Sequence, residues 1–472
     1  MTCVESWARN EFGGAKLGDP RRTARAVELA ARVAERPAGT ITAAVREEAE
    51  REGAFRFVRN SRVSVEALAR SSHAATVRRC SAHEFVFVAI DQSSIGLTDT
   101  KHTKDLGRVG SRDGAKTSGL QVMTALAVEE SGRVLGVCGQ RWWRRPKQKS
   151  PPYKKDKRAL QERESSLWGN VIDEVEQTIF QAGATVRPWY QLDRGGDAWQ
   201  ILRKAQDEQL WMTVRAAYDR TVDADGEYDR LKTAIGKQKP IALFDHYVSP
   251  AAAKRLGHSP LRPRHMEVRA MQMGLVLRDW SDHRGRDCGT ADYQVVHLRE
   301  KSPPPGVERL EWLLLTTYPV RSLRDVLRVA WGYSLRWRIE EFHRTWKSGA
   351  CNVERSQLRS AENLKRWATL LAAVASRIER LKQAARENPN APALEWVTQD
   401  EIDGAIVLTR RCKWQLGKKD MTIEQFVLLV ANLGGYTGRS SGGPPGSIVI
   451  ARGLDSVSAA ATALAAVRPE NL

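Results

Sequence analysis

The sequence predicts an α/β protein in which helical segments flank a sheet-forming centre, and three observations lead there. Residues 1 to about 75 carry helical patterning without strand alternation. From residue 84 apolar strand-like runs alternate with helical stretches, and beyond Val320 the chain is helical again.

At the start, Leu17-Gly18-Asp19-Pro20 offers a helix N-terminus, with Asp19 as cap and Pro20 in the first turn, followed by Arg21, Arg22 and Arg25. A second helix around Glu48–Arg59 carries Arg56 and Arg59 beside Phe55 and Phe57. Phe85–Ile90 is a continuous apolar run, as expected of a strand buried on both faces. Gly119–Glu129 and Val134–Trp142 read as a hairpin. A helix over Ala159–Ala182, a strand over Val186–Leu192, a helix from Ala198 and a strand over Leu210–Ala217 follow. Strand patterning returns from about Ile241 to Val320; helices are expected over Ser322–Ser348, Glu362–Glu387 and Ile423–Leu433. Strand, hairpin, helix, strand, helix, strand is the order of an RNase-H-like core, an order that other α/β folds share. The expected organisation is a helical unit at 1–75, an α/β domain at 76–375 with a β-rich insertion at about 220–320, and a helical region at 376–472.

The chain's 75 Lys+Arg against 56 Asp+Glu give a net charge of +19, which suits a polyanionic partner, nucleic acid before a membrane surface. Fifteen tryptophans beside so many arginines point the same way. No run of eighteen apolar residues occurs and Met1–Asn10 lacks an apolar signal core, so a cytoplasmic protein with no membrane association is expected. The six cysteines are scattered without a CxxC pair, which argues for buried reduced thiols over zinc or disulfides.

Asp91 follows the first apolar strand, and Asp193 follows the strand Val186–Leu192. Carboxylates at the ends of parallel strands lie at the edge where α/β ligands bind. Two such groups, with a third from a helix, can hold two divalent cations about 3.5–4 Å apart for in-line phosphoryl transfer. Either Asp can equally be a turn or helix-cap residue; Asp197 reads as a cap for the helix that follows it. On the helix beyond Ser322, at about 100° per residue, Tyr333, Arg336, Glu340, Arg344 and Lys347 fall within about 80° of one another. Trp331, Leu335, Ile339, Phe342 and Trp346 fall opposite, as a core stripe. One carboxylate among cations suits metal with phosphates, although a solvated face is the ordinary reading of such a stripe; Glu341 points about 100° away.

Tyr333-(2)-Arg336-(3)-Glu340-(6)-Lys347 resembles the Y-R-E-K signature of the IS-four family of bacterial insertion-sequence transposases. Leu17–Arg25 and Glu52–Asn60 resemble the family's N-terminal DNA-binding segment, Glu311–Val320 its last sheet strand, and Leu433–Tyr436 part of its C-terminal region. The resemblance implies an RNase-H-like DDE nuclease with Asp91, Asp193 and Glu340 as its catalytic triad, holding two Mg²⁺ ions or Mn²⁺ in their place. It implies that Tyr333, Arg336 and Lys347 contact phosphates near the cleaved end, that Trp312 stacks a flipped base, and that Arg215 contacts the transposon end. It further implies that Arg21, Arg22, Arg25, Arg56 and Arg59 bind terminal repeats of double-stranded DNA, and that the chain works as a homodimer, assembled through its C-terminal region, on transposon ends and target DNA.

Two departures stand out. Gly195-Gly196 replaces the middle pair of the family's Arg-Glu-Ala-Asp, which is expected to loosen the loop. Arg144–Arg158 is Lys/Arg-rich (Lys147, Lys149, Lys154, Lys155, Lys157) and reads as an added phosphate-binding loop in contact with DNA, the alternative being a flexible solvated loop.

Overall fold

The computed structural model describes residues 3–99, 104–109, 118–145, 164–224, 226–246, 264–279, 285–409, 416–417, 420–438 and 443–466. Helices α1 (Cys3–Phe12), α2 (Pro20–Glu35), α3 (Ile41–Ala44), α4 (Glu48–Arg59) and α5 (Val65–Cys80) come first. Asp19 caps α2 by accepting the Arg21 N–H at 2.9 Å, with Pro20 in the first turn, where its missing N–H costs nothing.

Among the described residues, the centre of the chain builds one twelve-stranded sheet. In chain order its elements are β1 (Phe85–Leu97), β2 (Gly107–Arg108), β3 (Ser118–Val128), β4 (Val134–Trp143), α6 (Ser166–Gln181), β5 (Arg187–Leu192), α7 (Trp199–Asp207) and β6 (Trp211–Arg215). Then come β7 (Thr221–Ala224), β8 (Glu227–Arg230), α8 (Leu231–Lys237), β9 (Ala242–His246), β10 (Arg264–Asp279), β11 (Arg286–Glu300) and β12 (Glu311–Thr316). The strand order is β2-β3-β1-β5-β6-β12-β11-β10-β7-β8, with β4 beside β3 and β9 beside β10. β1, β5 and β6 are parallel; the other pairings are antiparallel. The stretch expected as an insertion at 220–320 therefore extends the same sheet, because β12 returns to pair with β6.

β1 is buried on both faces and its side chains alternate between two cores. Phe87 and Ala89, with Leu126, Val128 and Trp189, face a core shared with the N-terminal helices and with α9 (Leu323–Leu335), α10 (Trp337–Lys347) and α11 (Ala361–Glu387). Val86, Val88 and Ile90, with Tyr190 and Leu192, face α6 and α7. The boundaries expected near 75 and 375 fall inside α5 and α11, helices that bridge neighbouring units. Arg366 on α11, for example, donates to the Val58 and Val63 carbonyls at 3.0 and 2.5 Å.

A third core joins α12 (Gln399–Leu408), α13 (Ile423–Leu433) and α14 (Ser447–Ala466) to the end of α11. By length and composition, Ser447–Leu464 is apolar enough to cross a membrane. It packs so closely on α13 that a Cβ on Gly434 would collide with the Val449 carbonyl, and one on Gly453 with the Val430 carbonyl. Cys80, Cys138 and Cys351 are buried free thiols as expected, whereas Cys288 is only half-buried.

Candidate active site

The register of β1 and β5 pairs Ile90 with Leu192, so Asp91 and Asp193 are the next residues on adjacent parallel strands. β1 does not stop at Ile90: its antiparallel pairing with β3 continues to Leu97, and Asp91 lies within the strand. Ile90 and Leu192 face α6 and α7, so alternation turns Asp91 toward the opposite side, where α10 lies.

Asp193 caps a short 3₁₀ turn, accepting the Gly195 N–H at 2.8 Å. The glycine pair fits that turn closely and does not loosen it. A Cβ on Gly195 would stand 3.0 Å from both Asp193 Oδ1 and Trp168 Cζ2, and one on Gly196 would stand 2.5 Å from Leu192 Cδ2. Asp197 is not the expected helix cap. It is buried and accepts the Ala217 and Tyr218 N–H groups at 2.7 and 3.3 Å and the Arg220 guanidinium, tying the loop after β5 to the end of β6.

The helical stretch after Ser322 divides at Arg336 into α9 and α10, with Arg336 itself in right-handed helical conformation. Tyr333 is buried and meets Trp312 edge-on at 5.3 Å, whereas Trp331 is exposed and donates to the Glu130 carbonyl at 2.7 Å. Arg336 Nη2 donates to Glu340 Oε1 at 2.7 Å. Burial pushes the Asp91 carboxyl up to about 7; the Arg336 guanidinium opposes the rise, and Asp193 and Glu340 add to it. Three carboxylates and one guanidinium thus share one field. Glu341 turns to other partners: Arg338 at 3.0 Å, Lys382 at 3.6 Å and Arg386 at 4.0 Å.

Among the described residues no three Asp, Glu, His or Cys groups converge tightly enough to cage an ion. Arg336 holds part of the charge a cation would hold. The donor set still fits a hard divalent cation, because it is all oxygen and Asp91 carries the repulsion of two other carboxylates, which a cation would relieve.

Arg215, at the end of β6, lies opposite Leu314 and donates to the Glu311 carbonyl at 3.0 Å. Burial raises the Tyr333 phenol above its usual range; Arg336 and Arg215 oppose the rise and Asp193 adds to it, so these groups are neighbours. Lys347 lies 3.7 Å from Glu354 Oε1, which accepts the Gly96 N–H at 3.1 Å. His343, absent from the sequence reading, is buried with Nδ1 3.9 Å from Asp91 Oδ2. Burial pushes its pKa down to about 3, with Lys347 and Arg336 acting in the same direction, so a neutral imidazole backs Asp91. Its spacing three residues after Glu340 was the available signal.

The N-terminal arginines lie apart from this cluster and are unequally free. Arg21, Arg56 and Arg59 are exposed, with Arg56 3.5 Å from Glu52 and Arg59 over the Phe55 ring at 5.1 Å. Arg22 donates to the Leu17 carbonyl at 2.7 Å, and Arg25 pairs with Glu28 at 3.0 Å. Of the basic stretch at 144–158, Arg144 and Arg145 pair with Asp105 and Glu164; the rest lies outside the described residues.

Two family models match the chain. Residues 4–63 match the transposase DNA-binding model, a span that includes all five N-terminal arginines. Residues 198–376 match the transposase DDE domain, a span that includes Arg215, Trp312, Tyr333, Arg336, Glu340 and Lys347, while Asp91 and Asp193 precede it. The chain thus carries a match to a transposase DNA-binding domain followed by a match to a transposase DDE domain.

Proposed function

We propose that the chain is a cut-and-paste transposase of the IS-four family, akin to the Tn-five transposase, with Asp91, Asp193 and Glu340 as its catalytic triad. The observation that carries this reading is the field shared by Asp91, Asp193, Glu340 and Arg336 where β1, β5 and α10 meet. An RNase-H-like core is supported by the order β4-β3-β1-β5-β6, with β3 antiparallel between β4 and β1, and β1, β5 and β6 mutually parallel.

Asp91, Asp193 and Glu340 would hold two Mg²⁺ ions, or Mn²⁺, whose chemistry is to activate the attacking oxygen and stabilise the leaving one. Arg336 is already inside that field, so DNA binding exchanges its bond to Glu340 for one to a phosphate. Lys347 leaves Glu354 in the same way, and Tyr333 presents its hydroxyl to the adjacent phosphate. Trp312 takes a flipped base, and its contact with Tyr333 couples base capture to the phosphate clamp. Arg215 contacts the transposon end, and Arg21, Arg22, Arg25, Arg56 and Arg59 bind the terminal repeat. Water nicks one strand, releasing a 3′-OH that attacks the opposite strand and leaves a hairpin. Water reopens the hairpin, and the 3′-OH then displaces a target-strand 3′ oxygen. A homodimer acting in the cytoplasm brings two ends together, each cut in trans.

Purified protein incubated with Mg²⁺ and the DNA ends of its own element tests this reading. Nicks, hairpins and joined products are expected. Absence of nicks and hairpins would sink the enzymatic reading, and hairpins without joined products would reduce the protein to a nuclease.

A further inference from the structure

Four arginines gather where the N-terminal helices, the β3–β4 turn, α11 and the segment before α12 meet. Three of them have a carboxylate each: Arg79 bonds Glu11 at 2.6 Å, Arg133 bonds Glu129 at 2.6 Å, and Arg377 bonds Glu401 at 3.0 Å. Glu387, the remaining carboxylate beside Arg133, is taken by Arg338. Arg380 has no such partner among the described residues, and its Nε is buried without an acceptor. Arg133 and Arg380 both lie over the Trp396 ring, at 4.9 and 5.7 Å from its centre. Arg133 Nε and Trp396 Nε1 are likewise buried donors without acceptors. Burial, and then the neighbouring Arg79, pull the Arg380 pKa down to about 9, against the opposing charge of Glu11.

Around one indole ring, then, stand three unanswered N–H donors and one half-buried guanidinium that has no bonded carboxylate and is only partly compensated by the Glu11 charge. A buried charge without a partner is costly, and cation–π contact offsets only part of that cost. What is missing is an acceptor carrying negative charge and several oxygens. We propose that Arg380, Arg133 and Trp396 form a binding site for a phosphate-type oxyanion. The site is separate from the carboxylate cluster: the β3–β4 turn lies where β1 begins, whereas Asp91 and Asp193 lie where β5 ends. The oxyanion links the β3–β4 turn and α11 to the segment leading into α12.

The test is thermal unfolding of the purified full chain, with sodium phosphate replacing sodium chloride at constant ionic strength and a parallel titration with a short DNA duplex. A wild-type midpoint that climbs with phosphate is expected, as for any ligand that binds only the folded state. Arg380→Met should abolish the climb yet unfold, without phosphate, at or above the wild-type midpoint, because it removes an unpaired charge. Arg380→Lys should retain part of the climb. A climb with the duplex but not with phosphate, weakened in both variants, identifies the oxyanion as a DNA backbone phosphate. A climb of equal size in Arg380→Met, or a wild-type midpoint unmoved by either titrant, would overturn the proposal.

Discussion

Replacing Asp91 with asparagine should stabilise the metal-free protein while removing its chemistry. The Asp91 side chain is 19% exposed, and its pKa stands at about 7 against 3.8 for an unperturbed carboxyl. A folded-state pKa raised above the unfolded value means that the folded protein binds more protons between the two, so stability falls as pH rises from about 4 to about 7. Above that range the full penalty applies, about 3 units at about 1.36 kcal/mol each, or about 4 kcal/mol. At pH 5 only about 1.5 kcal/mol of it has developed. Urea unfolding of wild type and Asp91→Asn at pH 8 and pH 5, with chelator present, measures the difference directly. Asp91→Asn should exceed wild type by about 4 kcal/mol at pH 8 and by about 1.5 kcal/mol at pH 5. Mg²⁺ should narrow the gap at pH 8 by stabilising wild type alone. A gap that does not change with pH, or a variant less stable than wild type at pH 8, would refute the claim that burial, with Asp193 and Glu340 adding to it, holds the Asp91 carboxyl at a raised pKa.

The same carboxyl sets the pH dependence of metal binding: below about 7 the cation must displace the Asp91 proton, so Mg²⁺ affinity measured by calorimetry should fall about tenfold per pH unit on acidification and level off above pH 7. Trp312→Ala should leave the first nick intact and suppress hairpin formation, because it removes the ring packed on Tyr333; gel separation of nicked and hairpin products decides this. Gly196→Ala should cost about 1–3 kcal/mol in urea unfolding, because its Cβ would stand 2.5 Å from Leu192 Cδ2.

Much of the scaffold was readable because it is written in local patterns. The apolar run Phe85–Ile90, the hairpin around Glu130–Arg133 and the Asp19-Pro20 helix start each depend on residues close in sequence. The candidate site was readable only in pieces. Asp91 and Asp193 could each be seen at the end of an apolar run, but the parallel register that makes them neighbours spans a hundred residues and leaves no periodic trace. The helical projection separated Glu340 from Glu341, and the ion pairs of Glu341 with Lys382 and Arg386 on α11 agree with that separation. The projection rightly set Tyr333 beside Arg336 and failed at Trp331, which is exposed and bonds the Glu130 carbonyl, a partner 201 residues away in sequence. Asp197 misled for a related reason: a carboxylate ahead of a helix looks like a cap, and only the return of the chain at Ala217–Arg220 shows what it binds. The return of β12 to β6, which merges the expected insertion with the main sheet, is a tertiary pairing of the same kind.

Single-turnover cleavage of end DNA in Mg²⁺ by Asp91→Ala, Asp193→Ala and Glu340→Ala, with Glu341→Ala alongside and end binding measured for all four, tests the central claim most directly. If the three carboxylates form one centre, each of the first three should bind ends and cut by less than about a thousandth of the wild-type rate, while Glu341→Ala cuts normally. Wild-type cleavage by any of the three, or loss of cleavage confined to Glu341→Ala, would contradict it.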